Sequence, residues 1–441
     1  MEFDDALFKI IPENMRDRGR IVLDALVSPI KDILSRQKFP EDSLTDLQIE
    51  LLCQLLSSMD TDKDPKAARV GEREARVASP YISKLAAGFN HGIGRSGQLT
   101  GAQPKAVGAT IMQQVTNHVA LDAIKSLGLS NVKHGIVAPL STGMTIALVF
   151  AALKRELGIK QVLYPRIDHE SPKRGIAFAG MTEVTVPTVL ADDAVRADLG
   201  ELERLMGTLD DYAVLSTTTF FPPREPDPVK EIAKLCQEQS VPLVINNAYG
   251  VQSEELMKRI RSAIDAGRVD AVIQSGDKNF LTPVGSSIVV SPENETIDWI
   301  ADSYAGRATA APLIQTLAAI LALGNKRYRS LQLHQQENRH YLERTLQSLV
   351  SEIGQRLLSV YNPIACAMTV DGLDANEIGG RLYNERVTGP RAIKSGGFGS
   401  CIDHYPYSYL VMNAAIGAKK DDISNATTKL NKVIRAISRT V

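Results

Sequence analysis

Between about residue 100 and residue 310 the chain repeats one pattern: a short apolar run, a turn, then a stretch of helical period. The runs are GIVAPL (135–140), QVLYP (161–165), VTVPTV (184–189), YAVLS (212–216), PLVIN (242–246), AVIQS (271–275) and SSIVVS (286–291). Helix-period stretches such as MTIALVFAALKREL (144–157) and DPVKEIAKLCQEQ (227–239) lie between them. Runs that are apolar throughout, not alternating, are strands covered on both faces. Strands of that kind alternating with helices predict an α/β layer around a mainly parallel sheet.

The flanks differ. Residues 1–65 read as helical: Ser43 followed by Asp46 suggests a capping box, and Leu44, Leu47, Leu51 and Leu55 follow at helical spacing. The charged segment TDKDPKAARVGERE (61–74) marks a boundary. Helix signals return at 312–324 and 327–358, then PIACAMTV (363–370) reads as a strand and 420–440 as a closing helix. Three parts are therefore expected: an N-terminal helical extension (1–65), a large domain (66–310) and a smaller C-terminal α+β domain (311–441). A chain of 441 residues suits roughly two or three such units.

Composition removes several classes. Apolar stretches such as 146–153 and 317–323 fall short of the ~18 residues that a membrane span needs. The acidic start MEFDDALFKI is unlike a basic export or transit signal. Cys53, Cys236, Cys366 and Cys401 are far apart and form no CxxC, as in a reducing compartment, so a cytoplasmic protein is expected. A net charge of −1 argues against non-specific binding to DNA or RNA, though six Lys/Arg against two Asp in the last 31 residues make a basic end.

Three motifs follow strand ends. After GIVAPL comes Ser141-Thr142-Gly143-Met144, a strand-to-helix turn whose outward N–H groups suit a phosphate. After PLVIN comes Asn246-Asn247-Ala248-Tyr249-Gly250, placing Asn246 where many pyridoxal-phosphate enzymes pair an acid with the pyridine nitrogen. After AVIQS comes Ser275-Gly276-Asp277-Lys278, a lysine placed for a Schiff base, whose amine desolvation would prime. Each also reads as an ordinary loop. Their order, phosphate turn, ring-nitrogen strand and lysine strand, is that of a fold-type-I pyridoxal-phosphate enzyme. Upstream, FNHGIGRSGQLTGAQPKAVG (89–108) combines glycines with Arg95, Ser96, Gln98, Gln103 and Lys105, donors for a second anion, or else a flexible surface loop.

The segments GEREARVAS (71–79), HGIGRSG (91–97), STGM (141–144), PRID (165–168), STTTFFPPREPD (216–227), NNAYGVQS (246–253), QSGDKNF (274–280), GRATAAP (306–312), NPIACAMT (362–369) and VTGPRA (387–392) together resemble the O-phosphoseryl-tRNA:selenocysteinyl-tRNA synthase family. The resemblance runs over roughly residues 70–415. It implies pyridoxal phosphate on Lys278, with Gly143 and Met144 at its phosphate, Asn246 at its ring nitrogen, and His169 and Ser275 nearby. It further implies that Arg73 reaches the cofactor from a dimer partner and that Glu72 helps exclude unphosphorylated serine. Arg95, Ser96, Gln103 and Arg307 would grip the substrate phosphate, and Arg391 would read the unpaired base beside the tRNA's CCA end. The implied assembly is a homotetramer, with tRNA and selenophosphate as partners. Glu170 and Asp265 stand where basic residues are expected. Two other readings stay open: a fold-type-I enzyme acting on a free amino acid, either a β-lyase or a desulfurase using Cys401 as its nucleophile, and a non-catalytic tRNA-binding relative.

Overall fold

The computed structural model describes residues 8–438, so Arg439 of the basic end and most of the acidic start lie outside the described residues. Helices α1 (Glu13–Arg36), α2 (Asp46–Ser57) and α3 (Pro80–Leu85) come first, then α4 (Val107–Ser126). The α/β region follows as β1 (His134–Ala138), α5 (Thr142–Leu157), β2 (Gln161–Pro165), α6 (Glu170–Phe178), β3 (Thr182–Val186), β4 (Thr188–Ala191), β5 (Ala194–Ala197), α7 (Leu199–Met206), β6 (Tyr212–Thr217), α8 (Val229–Glu238), β7 (Leu243–Asn246), α9 (Glu254–Ala266), β8 (Ala271–Ser275), the single-turn α10 (Gly276–Phe280), β9 (Ser287–Ser291) and α11 (Asn294–Ala301). A long helix α12 (Ala311–Ile353) leads into β10 (Ala365–Thr369), α13 (Ala375–Asn384), β11 (Arg391–Ile393), β12 (Tyr409–Asn413) and α14 (Lys420–Ser438).

The main sheet has seven strands in the order β1-β9-β8-β7-β6-β2-β3. Strands β3, β2, β6, β7 and β8 pair in parallel, and β9 runs antiparallel to both β8 and β1. Every residue of β6, β7, β8 and β9 is buried, as the unbroken apolar runs require. VTVPTV is not one strand. Pro187, which has no N–H to give a ladder, separates β3 from β4, and β4 leaves the sheet to pair with β5.

The N-terminal helices join the main core through Ile30, Ile33, Leu52 and Leu56. Helix α2 does not start as expected. Its cap is Thr45, whose side chain accepts from the Gln48 N–H while Gln48 reaches back to Thr45 N. It buries Gln48, Leu52, Cys53 and Leu56 and leaves Leu47 and Leu55 exposed. Ser43 serves another helix. Helix α12 kinks at Gly324 (φ 58°, ψ 167°), which frees backbone groups. The Pro40–Leu44 segment meets them: Leu44 N donates to Leu321 O (2.9 Å), Ser43 Oγ to Leu323 O (2.7 Å), and Asn325 N to Pro40 O (2.9 Å). A Cβ at Gly324 would lie 2.8 Å from the Asp42 backbone. The kink thus falls between the two helical stretches expected at 312–324 and 327–358.

The first half of α12 packs in the main core through Leu313, Leu317, Ile320 and Tyr328. A second core begins only at Leu342 and gathers β10, β12, α13 and α14. No helix among the described residues is long and apolar enough to cross a membrane.

Candidate active site

Parallel strands put their carboxyl ends along one edge, and the loops leaving that edge converge there. The loops after β1, β2, β6, β7 and β8 line one cavity of about 530 Å³. Ser141, Thr142 and Gly143 come from the first loop, His169 from the second, and Thr219, Phe220 and Phe221 from the third. Asn246, Ala248 and Tyr249 follow β7, and Ser275, Asp277 and Lys278 follow β8. Asn413 at the end of β12, with Ala415 and Ile416 just after it, completes the wall.

The turn after β1 opens α5 without a side-chain cap, because Ser141 makes no capping bond. The first-turn N–H groups of that helix therefore face the cavity end unpaired. Gly143 has a packing duty as well: a Cβ there would lie 3.0 Å from Ser171 Cβ, and one at Gly175 would lie 2.6 Å from Gly143 O. The two glycines let α5 and α6 cross closely, which fixes the turn.

Lys278 is the third residue of α10, a helical turn where a loop was expected. Asn279 beside it holds the turn in place. Its Nδ2 donates to Ser275 O (2.8 Å) and Ala248 O (2.9 Å), and its Oδ1 accepts from Val251 N (3.1 Å). Gly276 passes so close to Ser286 that a Cβ would lie 2.3 Å from its hydroxyl. Buried Gln252 donates to Lys278 O (3.4 Å) and accepts from Ile416 N (2.7 Å), tying the lysine turn to the segment after β12. Lys278 itself is exposed, so the desolvation expected from the sequence is not supplied by this chain's own fold.

His169 caps α6. Its Nδ1 accepts from Ser171 N (3.1 Å), which leaves the ring proton of the neutral form on Nε2. Burial, then the positive charges of Lys278 and Arg391, hold its pKa below the ordinary value. Four buried polar atoms at the cavity have no partner: Thr142 Oγ1, Thr219 Oγ1, Asn246 Oδ1 and Tyr249 Oη. Buried polar groups left unpaired are costly, so this set marks a place shaped for a polar ligand. A helix N-terminus for phosphate, an amide for a ring nitrogen and a lysine for an aldehyde are the donor set that pyridoxal phosphate requires, and the cavity is of a size that suits it.

The remaining candidates lie elsewhere. Met144 is exposed and is not on the cavity wall; Glu72, Arg73, Arg95, Ser96, Gln103 and Arg307 are not on it either. Two of the latter, Arg73 and Arg307, meet at one short segment and anchor a second cluster. Arg73 Nη2 donates to Asn90 O (2.8 Å) and Arg307 Nη2 to His91 O, while Lys105 pairs with Glu74 (2.6 Å). The glycine-rich segment is bonded to the rest of the fold at Ile93 and Leu99. Gly92 and Gly94 take positive φ (72° and 64°), and Ile93 bridges to Ala308, where a Cβ on Gly92 would strike the carbonyl at 2.3 Å. Arg95 and Ser96 project outward and exposed. Arg391 stacks 4.4 Å over the ring of Phe221 at the cavity's edge. Glu170 pairs with Arg174 (3.1 Å), and Asp265 accepts from Asn131 (2.8 Å).

Cys401 is not a mobile nucleophile. It is fully buried, its Sγ accepts from Asp168 N (3.2 Å), and burial pushes its pKa up to about 12. Residues that sequence reasoning missed are Thr219, Tyr249, Gln252 and Asn279. All four lie inside STTTFFPPREPD, NNAYGVQS or QSGDKNF, so the motifs found their place but not their roles.

The sheet and its helices form the α/β fold shared with the fold-type-I pyridoxal-phosphate enzymes. A serine palmitoyltransferase from S. paucimobilis, solved with bound PLP, shares the fold at TM-score 0.57 and 12% identity, covering 82% of this chain and 85% of that one. The family model of O-phosphoseryl-tRNA(Sec) selenium transferase, SepSecS, matches residues 59–435, and the chain belongs to that family. It is 43% identical to the O-phosphoseryl-tRNA(Sec) selenium transferase of Methanococcus maripaludis, over 96% of this chain and 98% of the relative. The crystal structure of an archaeal member superposes with TM-score 0.93 at 43% identity, covering 96% of this chain and 98% of that one.

Proposed function

We propose that this chain converts O-phosphoseryl-tRNA(Sec) to selenocysteinyl-tRNA(Sec) with pyridoxal phosphate held in the strand-end cavity. The observation that carries the reading is the convergence of Lys278, Asn246 and the uncapped start of α5 on one cavity with unpaired polar walls, in a chain of this family. The first turn of α5 with Thr142 would hold the cofactor phosphate, Asn246 Oδ1 would serve the ring nitrogen, and His169 would lie beside the ring. When bound, pyridoxal phosphate supplies the electron sink for the substrate's α-carbanion. Lys278 Nζ takes the α-proton. The β-carbon–oxygen bond then breaks and phosphate leaves with the bonding pair. Selenium from selenophosphate adds to the β-carbon, the proton returns to the α-carbon from Lys278, and water releases phosphate from selenium.

The phosphate grip comes from a second copy of the chain. Arg73, Arg95, Ser96, Gln103 and Arg307 are not on the wall of their own chain's cavity, which suits a homodimer that brings them to the partner's cavity and pairs into a tetramer. There they select a phosphorylated substrate and stabilise charge on the leaving group, with Glu72 disfavouring bare serine. Arg391, stacked on Phe221, would read the base next to the CCA end. The work is cytoplasmic, where charged tRNA is used. The test offers phosphoseryl-tRNA and seryl-tRNA in parallel with selenophosphate. Selenocysteine from the first alone is expected; equal conversion of both, or of neither, contradicts the reading.

A further inference from the structure

Beneath the second cluster lies a buried carboxylate that the proposed function does not use. Asp62 is nearly inaccessible, with 3% of its side chain exposed. Its Oδ2 accepts from Lys63 Nζ (2.7 Å) and from Asn90 Nδ2 (2.9 Å). Its Oδ1 makes no hydrogen bond and lies 3.9 Å from His91 Nε2, which itself sits 3.3 Å from Thr61 Oγ1. Lys63 Nζ also donates to Gly88 O (2.7 Å). Asp62 and Lys63 therefore hold the segment at Gly88 and at the Asn90 side chain. The same short segment holds the arginines, through the carbonyls of Asn90 (to Arg73) and His91 (to Arg307). A guanidinium fixed on a carbonyl is only as well placed as that carbonyl.

We infer that Asp62 is a positioning residue for the anion grip, setting the Asn90 and His91 carbonyls that aim Arg73 and Arg307 at the substrate phosphate. The inference rests on the reading of those arginines as a phosphate grip. Burial, with Arg307 and Arg73 close by, holds the His91 pKa below its ordinary value against the pull of Asp62 and Glu74. The ring thus stays neutral at neutral pH and leaves the positive charge of the cluster to the guanidiniums and Lys63.

The test measures inhibition by inorganic phosphate, kcat/KM for phosphoseryl-tRNA and the bound cofactor's absorbance in the holoenzyme. Asp62→Ala is expected to raise the phosphate inhibition constant and lower kcat/KM by a similar factor, roughly tenfold, within the ~10²-fold that a 1 Å misplacement costs. The cofactor spectrum should not change. Asn90→Ala, which removes the other end of the bond at a partly exposed site, should shift both in the same direction even where Asp62→Ala folds poorly. Asp62→Asn, which keeps one oxygen for the Asn90 amide, should fall between Asp62→Ala and wild type. Unchanged phosphate inhibition in folded Asp62→Ala and Asn90→Ala overturns the inference, as does a fall in melting temperature and kcat without any change in phosphate inhibition. Arg307→Ala run alongside separates the two levels: if it weakens phosphate and the others do not, only the role of Asp62 fails; if it too leaves phosphate binding intact, the grip itself is wrong.

Discussion

The strand-end cavity and the glycine-rich cluster are both rich in polar groups, yet they are built in opposite ways. In the cavity, sheet topology does the placing. Five strand ends must meet at one edge, and the polar atoms they bring, such as Asn246 Oδ1 and Thr219 Oγ1, are left without partners. In the cluster, loop packing does the placing. Arg73 and Arg307 already bond to carbonyls, and Arg95 and Ser96 face outward. The first is a cavity whose walls named above all come from one chain, with unpaired polar atoms on them. The second is a surface off the wall of that cavity, and in the proposed function its target is the cavity of a second copy.

The largest effect that sharpens this contrast comes from the surface. Arg307→Ala is expected to raise the barrier by ~3–4 kcal/mol, the scale of losing one preorganised donor to a developing charge. Single-turnover rates on phosphoseryl-tRNA check it, and wild-type rates would remove Arg307 from the site. The next effect lies in the pocket. A neutral amide holds the pyridine nitrogen protonated less well than a carboxylate does, which suits elimination of a good leaving group better than transamination. Asn246→Asp should change the bound cofactor's absorbance and its dependence on pH; superimposable spectra from pH 6 to 9 would show that residue 246 does not face the ring. The smallest effect belongs to neither region. Cys401→Ser keeps an acceptor for Asp168 N, so turnover should match wild type and stability should fall by about 1 kcal/mol. Lost turnover with intact folding would revive a thiol-based reaction.

Much of the cavity was legible because period and order are linear properties. The strand runs predicted from the sequence lie within a residue or two of β1, β2, β6, β7, β8 and β9, and the three motifs fall at their carboxyl ends. What escaped depended on distant partners. Ser43 looks like a cap, but its hydroxyl serves a carbonyl 280 residues away, freed by the kink at Gly324. Cys401 looks mobile among glycines, but Asp168, 233 residues earlier, fixes it: the Asp168 carboxylate accepts from the N–H groups of Gly399 (3.0 Å) and Cys401 (2.8 Å). The N-terminal helices read as an extension, yet Leu52 and Leu56 lie in the main core, because an apolar spacing says that a face is buried and not against what. Asn279 and Gln252 act only through bonds made across the fold, so neither their type nor their spacing announces them.

Mixing two inactive variants tests the shared site most directly. Lys278→Ala removes the cavity's lysine, and Arg307→Ala cripples the surface meant for the partner's cavity. Dissociated, combined and reassociated, they should form hybrids in which one cavity has both Lys278 and a partner's Arg307, restoring about a quarter of wild-type sites on random pairing. A mixture no more active than its separate components, with hybrids present by mass, would contradict a site built from two copies.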